Sequence, residues 1–139
     1  MAVGATGDVY VVDQTNNRVL KFTGTGTYLT QWGSLGSGDG QFDGPFGVST
    51  DAAGDVYVSD TANHRIQKFS SAGTYLCQLG TFGSGNGQLA FPAGVALGGG
   101  SIYVADNENH RIQKFATMQT ATDAPSWGRL KSRYRRAQP

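Results

Sequence analysis

The segment DTANHRIQKF occupies residues 60–69 and returns as DNENHRIQKF at 106–115, forty-six positions later. A looser copy, DQTNNRVLKF, sits at 13–22, forty-seven positions before the middle one. A chain of 139 residues that spells one phrase three times at a near-constant interval is built from repeats. Self-similarity at a period of roughly 20–50 residues marks units that cannot bury their faces alone and so stack on one another.

The match runs well beyond ten residues. GDVYVVD (7–13), GDVYVSD (54–60) and GSIYVAD (100–106) precede the phrase, and GTYLTQWG (26–33) and GTYLCQLG (73–80) follow the first two copies. GSGDGQFDGPFGV (36–48) then answers GSGNGQLAFPAGV (83–95). Each unit holds four short stretches rich in Val, Ile, Tyr, Phe and Thr; in the middle copy these are about 46–51, 55–60, 65–69 and 75–79. They are strand-sized, none has a sustained 3.6-residue period, and Gly, Asn, Asp and Pro punctuate them with turn chemistry. DAAGD (51–55) and DTANH (60–64) supply the tight turns. The prediction is all-β, with four antiparallel strands per unit, which is the blade of a β-propeller. Phe46-Gly47-Val48 and Ala93-Gly94-Val95 begin the inner strands, where Gly suits the crowding around a central axis.

The pattern Val/Ile-Tyr-Val-x-Asp-x-x-Asn-x-Arg-x-x-x-Phe, with Gly-x-Gly-Gln-Phe/Leu and a Pro-x-Gly-Val lead-in, resembles the NHL repeat. Its signature falls on Asp13, Asn16, Arg18 and Phe22, on Asp60, Asn63, Arg65 and Phe69, and on Asp106, Asn109, Arg111 and Phe115. His64 and His110 occupy the family's name-giving segment, and Asn17 replaces the His in the first copy. The resemblance covers residues 1–115 and implies propellers of six blades. Residues 1–122 are accordingly read as three blades, about 1–35, 36–82 and 83–122, and 123–139 as a basic, poorly ordered tail.

The charge balance separates these two parts. Residues 1–122 carry six Lys/Arg against nine Asp/Glu, whereas 123–139 carry five Lys/Arg against Asp123 alone. An acidic repeat body argues against nucleic acid as a partner, because that affinity rests on neutralising phosphates. The tail GRLKSRYRRAQP, with Arg and Tyr interleaved, keeps one alternative open: some NHL propellers bind single-stranded RNA, as the resemblance implies. No apolar run approaches membrane-spanning length. MAVGATGD has no basic n-region and no apolar h-region, so a chain complete as written is expected in the cytoplasm. Cys77 stands alone, which excludes an intrachain disulfide and a cysteine metal cluster and points to a buried thiol.

Candidate chemistry is sparse. An Asp–Arg pair repeated in every blade does the same work in every blade, so it reads as scaffold, with each Asp meeting the Arg five residues on across a hairpin. His64 and His110 lie at equivalent positions with no third ligand at a diagnostic spacing. The resemblance nonetheless implies a second alternative, a metal-dependent lyase or hydrolase of the peptidyl-hydroxyglycine lyase kind, which holds zinc through His. Asp39 and Asp43 suggest calcium until GSGNGQLAF replaces both acids. Ser34, Ser49, Ser59, Ser70 and Ser71 sit in no nucleophile-elbow pattern, and the Gly-x-Gly pairs open no helix. No catalytic residue, metal or cofactor is therefore assigned, and a non-enzymatic scaffold for self-assembly and protein or ligand binding is the leading reading.

Positions where the copies differ carry any individual recognition. Trp32 (aligned with Leu79), Asn107 and Glu108 are the rim candidates, since loops on a rigid scaffold do most binding. For Trp32 the competing reading is packing between blades. Both ends of the repeat are ragged: MAV is a short inner strand, and ATMQTATDAPSWG after Phe115 replaces the expected fourth strand. Three blades leave two faces bare, so the expected partner is a second copy, the homodimer closing one six-bladed ring.

Overall fold

The computed structural model describes residues 1–116 and 135–136. Twelve strands form three antiparallel four-stranded sheets. The first sheet runs β1 (Ala2–Val3), β2 (Val9–Asp13), β3 (Arg18–Phe22) and β4 (Tyr28–Trp32) in simple order. The second repeats it with β5 (Pro45–Thr50), β6 (Val56–Asp60), β7 (Arg65–Phe69) and β8 (Tyr75–Leu79). In the third, β9 (Pro92–Gly98), β10 (Ser101–Asp106) and β11 (Arg111–Ala116) are followed by β12 (Arg135–Arg136). The three sheets are β-propeller blades, and the middle blade's strands fall within a residue of the sequence expectation.

The connection between second and third strands is the same in each blade. A 3-10 turn, Gln14–Asn16, Thr61–Asn63 or Asn107–Asn109, ends on a residue in the left-handed conformation. Those residues are Asn17, His64 and His110, at φ 53°, 54° and 52°. Asn and His are among the few side chains that enter this region readily, which accounts for the exchange of one for the other in the first copy.

Blades pack through strand alternation. Along β6, Val56 and Val58 face the first blade, and with Phe42, Val48 and Phe69 they meet Tyr10 and Val19. Tyr57 points the opposite way and, with Ile66, Cys77 and Leu79, meets Leu89, Ile102, Val104 and Phe115 of the third blade. Side chains of period two thus serve two interfaces from one strand. The inner strands touch near the axis. Gly47 donates its N–H to Ser59 Oγ (2.7 Å), and that hydroxyl donates to Ala93 O. A Cβ on Gly47 would lie 2.7 Å from Ala93 O, so the approach requires Gly.

The third blade departs from expectation. Its fourth strand comes from within 123–139, the region read as a poorly ordered tail: Arg135 pairs with Lys114 and Arg136 with Gln113. Backbone pairing explains this, since the outer edge of β11 offers N–H and C=O groups to any extended segment. Ala116, the first residue of ATMQTATDAPSWG, ends β11, and the remainder of that doubtful segment, 117–128, lies outside the described residues.

Candidate functional site

In each blade the Asp ends the second strand and the Arg begins the third, directly opposite in register: Asp13 with Arg18, Asp60 with Arg65, Asp106 with Arg111. Nε of the Arg donates to Oδ2 of the Asp at 2.8, 2.7 and 2.7 Å. The Asn of the turn donates to the same oxygen at 2.9, 3.0 and 2.9 Å. In the second and third blades a Gln two residues after the Arg joins them, with Gln67 Nε2 at 3.1 Å and Gln113 Nε2 at 2.7 Å.

This cluster grips the loop that leads into its own blade. Asp60 Oδ1 accepts the Asp43 N–H and Asp106 Oδ1 accepts the Ala90 N–H, both at 2.8 Å. The far end of Arg65 donates to Gly38 O and Gln41 O, each at 2.9 Å, and Arg111 reaches Gly85 O and Gln88 O at 2.8 and 2.9 Å. Asn63 donates to Gly36 O and Asn109 to Gly83 O. Gln67 and Gln113 close the set on Gln41 O and Gln88 O, both at 2.6 Å. Every charge is met, as buried charges require.

The gripped loops are themselves folded. Gly36 N–H donates to Phe42 O and Phe42 N–H to Ser34 O, while Gln41 Oε1 accepts the Gly38 N–H. The second loop repeats this through Gly83, Leu89, Thr81, Gln88 and Gly85. A Cβ on Gly36 would collide with the Gln41 amide oxygen and one on Gly38 would lie 2.9 Å from it, so both glycines make room for that side chain. Gln67 and Gln113 were passed over in the sequence because Leu20 breaks their column; IQKF in two copies against VLKF in one was the available signal.

Hydrogen bonding sets the acidity of the carboxylates. Burial alone would raise Asp106, but donors on Ala90, Asn109, Arg111 and Gln113 outweigh it and hold the group below the usual carboxylate range. Asp13 is lowered by Asn16 and then by Arg18, against a smaller opposing effect of burial. Elsewhere, burial first and Asp39 next push Tyr75 up to about 12.

The histidines act between blades. His64 Nδ1 accepts the Phe91 N–H at 3.0 Å, and Asn17 Oδ1 accepts the equivalent Gly44 N–H at 2.8 Å. As an acceptor at Nδ1, His64 carries its proton on Nε2, and the ring lies 4.4 Å from Phe82 and 4.5 Å from Phe91. His110 is exposed at the open side of the third blade. Among the described residues, no three His, Cys, Asp or Glu side chains gather in a group able to hold a metal.

Of the rim candidates, Asn107 and Glu108 are exposed in the third blade's turn. Trp32 is not on a rim. Its ring packs 6.2 Å from Tyr10 and 5.6 Å from Phe69, between the first and second blades, as the packing alternative had it. Its position follows from register, since β4 turns Trp32 to the same side as Val19. The indole N–H has no hydrogen-bond partner among the described residues.

Residues 42–69 and 89–115 match the family model of the NHL repeat. No curated protein matches the chain. Among solved structures it resembles a streptogramin B lyase, with a TM-score of 0.65 and 22 % identity over 85 % of this chain and 38 % of that one. A virginiamycin B lyase from Staphylococcus aureus aligns at TM-score 0.64 and 15 % identity over 84 % of this chain and 36 % of its own. The WD40 repeats of RRP9 align at 0.63 and 13 % identity over 86 % and 35 %. The chain thus spans little more than a third of these structures, and the likeness establishes the fold. The middle and third blades thus carry NHL repeats, and all three blades share the β-propeller fold.

Proposed function

We propose that this chain is a non-enzymatic binding scaffold whose first partner is a second copy of itself. The observation that carries this reading is the contrast between inner and outer blade faces. Tyr57 and Ile66 are 0 % and 1 % exposed against the third blade, while their counterparts Tyr103 and Ile112 are 39 % and 41 % exposed. On the other side Val56, Val58 and Phe69 are fully buried, and their counterparts Val9, Val11 and Phe22 are half-buried.

The two open faces are the two halves of one interface that the chain already makes twice. A second copy, turned by half a circle about the propeller axis, would set Tyr103 and Ile112 of one chain against Val9, Val11 and Phe22 of the other. Such a head-to-tail contact closes when the rotation divides a full turn. Two three-bladed chains would make the six-bladed ring that NHL resemblance implies. Support for a non-enzymatic role comes from the clamps: in the second and third blades, the Asp, Asn, Arg and Gln side chains hold backbone, which leaves them no free valence for a substrate.

Light scattering on the purified chain tests the reading. A mass of two chains at micromolar concentration, falling to one with Ile112→Glu, is the expected result. A folded monomer at that concentration would remove self-assembly, and a stoichiometric bound metal would reopen the enzymatic alternative.

A further inference from the structure

The clamp described above is filled in two blades and open in one. In the first blade Asp13 Oδ2 takes Asn16 and Arg18 in the usual way, but no donor reaches its Oδ1 among the described residues. Arg18 spends Nη1 on Gln31 Oε1 at 2.8 Å, and its Nη2, which in Arg65 and Arg111 holds two loop carbonyls, has no acceptor among the described residues. The second Nδ2 hydrogen of Asn16, whose counterparts hold Gly36 O and Gly83 O, likewise has no acceptor among the described residues. The Arg18 side chain is 35 % exposed, against 7 % and 5 % for Arg65 and Arg111.

We propose that Asp13, Asn16 and Arg18 form a receptor for a Gly-x-Gly-Gln-Φ peptide loop, where Φ is Phe or Leu, offered by another NHL-type blade. The ligand chemistry is fixed by what the other two clamps hold: one backbone N–H for Asp13, carbonyls from the Gly and Gln positions for Arg18, and a further carbonyl for Asn16. Glycine at the first position is part of that chemistry, because a Cβ there meets the loop's own Gln. Leu20 in place of Gln removes the amide that holds Gln41 O and Gly40 N in the second blade, so the open clamp binds with fewer hydrogen bonds than the filled ones. It is therefore a weak, exchanging site, suited to a loop delivered by a neighbouring blade rather than to a free small molecule. Both loops of this type within 1–116 are already held by their own blades, so the loop that fills the open clamp lies outside residues 1–116.

The proposal concerns the clamp and does not depend on two-chain closure. The test is NMR titration of the full isotope-labelled chain with a synthetic peptide of residues 34–46, SLGSGDGQFDGPF, which keeps the loop's internal hydrogen bonds. At millimolar peptide, the Arg18 Nε–H and Asn16 side-chain amide signals should shift and saturate. Those of Arg65 and Asn63, already engaged, should stay. A control peptide with Gly36→Ala and Gly38→Ala should lose the effect, as should the Arg18→Ala chain. Silent Arg18 and Asn16 signals, or equal shifts with the control peptide, overturn the proposal. Mass is measured on the same samples: a dimer with an unresponsive Arg18 would defeat the clamp and leave ring closure intact, and a monomer with a responsive Arg18 would do the reverse.

Discussion

The middle blade and the outer two have nearly the same sequence and different physical states. Every residue of β6 and β7 is buried in the middle blade, Asp60, Arg65 and Lys68 included. In the first blade only Tyr10 and Val19 are buried along β2 and β3, and in the third blade β10 and β11 alternate between buried and open. Neighbours on both sides make the difference. A solenoid or propeller unit draws its stability from nearest-neighbour contacts, so identical residues are worth more in the centre than at an end.

The largest test of that contrast is the carboxylate. Asp60→Ala would leave Arg65, Asn63, Gln67 and the Asp43 N–H without their shared acceptor in a dry site, at a cost of about 3–5 kcal/mol. That is a large part of the stability of a small domain. Asp13→Ala removes a half-exposed pair that solvent screens, and its denaturation midpoint should fall far less than that of Asp60→Ala. Guanidine unfolding of both variants decides it; equal losses would mean that clamp filling does not set clamp strength.

The next effect in size is steric. Gly47→Ala places a methyl carbon 2.7 Å from Ala93 O and 3.2 Å from Val95 N, both backbone atoms of the next blade, which should cost about 1–3 kcal/mol. At Gly94, the same position one blade on, a Cβ meets nothing closer than Ala105 Cβ at 3.9 Å. Gly94→Ala should therefore fold as well as the parent. If a second copy covers that strand, as proposed, Gly94→Ala should instead weaken association in sedimentation experiments, and an unchanged dimer would argue that this edge stays open.

Much of this architecture was legible in the sequence, and the limits have physical causes. Strand positions followed from composition and turn residues, which are local. The opposition of Asp and Arg followed from hairpin register. That the pair holds a loop some twenty residues upstream was not legible, because that contact exists only once blade and linker have packed. Gln67 and Gln113 were lost to one exception, Leu20, which marks the blade whose clamp faces solvent. Arg135–Arg136 pair with β11 as a strand of two residues, too short for an alternating pattern to be read in the sequence.

Acid provides a graded probe of the filled clamps. Asp106 has its folded pKa held below its unfolded value, so the unfolded chain binds its proton first as pH falls. The group's contribution is complete above its unfolded value and disappears as pH drops through the folded one. Unfolding midpoints should consequently decline from about pH 5 downward, with a shallower slope in Asp106→Asn, which has no proton to take up there. A slope unchanged by that substitution would place the acid sensitivity in other carboxylates.

The smallest effect concerns His64 and His110. His64→Ala deletes the acceptor for the Phe91 N–H and the ring between Phe82 and Phe91, a loss of about 1 kcal/mol. His64→Asn should recover most of it, because Asn17 already serves the Gly44 N–H from the equivalent left-handed position, and Asn enters that conformation at little cost. His110→Ala should cost less than His64→Ala, since among the described residues no backbone N–H donates to its exposed ring. Thermal midpoints of the three variants order the outcomes. A His64→Asn variant no better than His64→Ala would mean that ring stacking, rather than the inter-blade hydrogen bond, is what the position contributes.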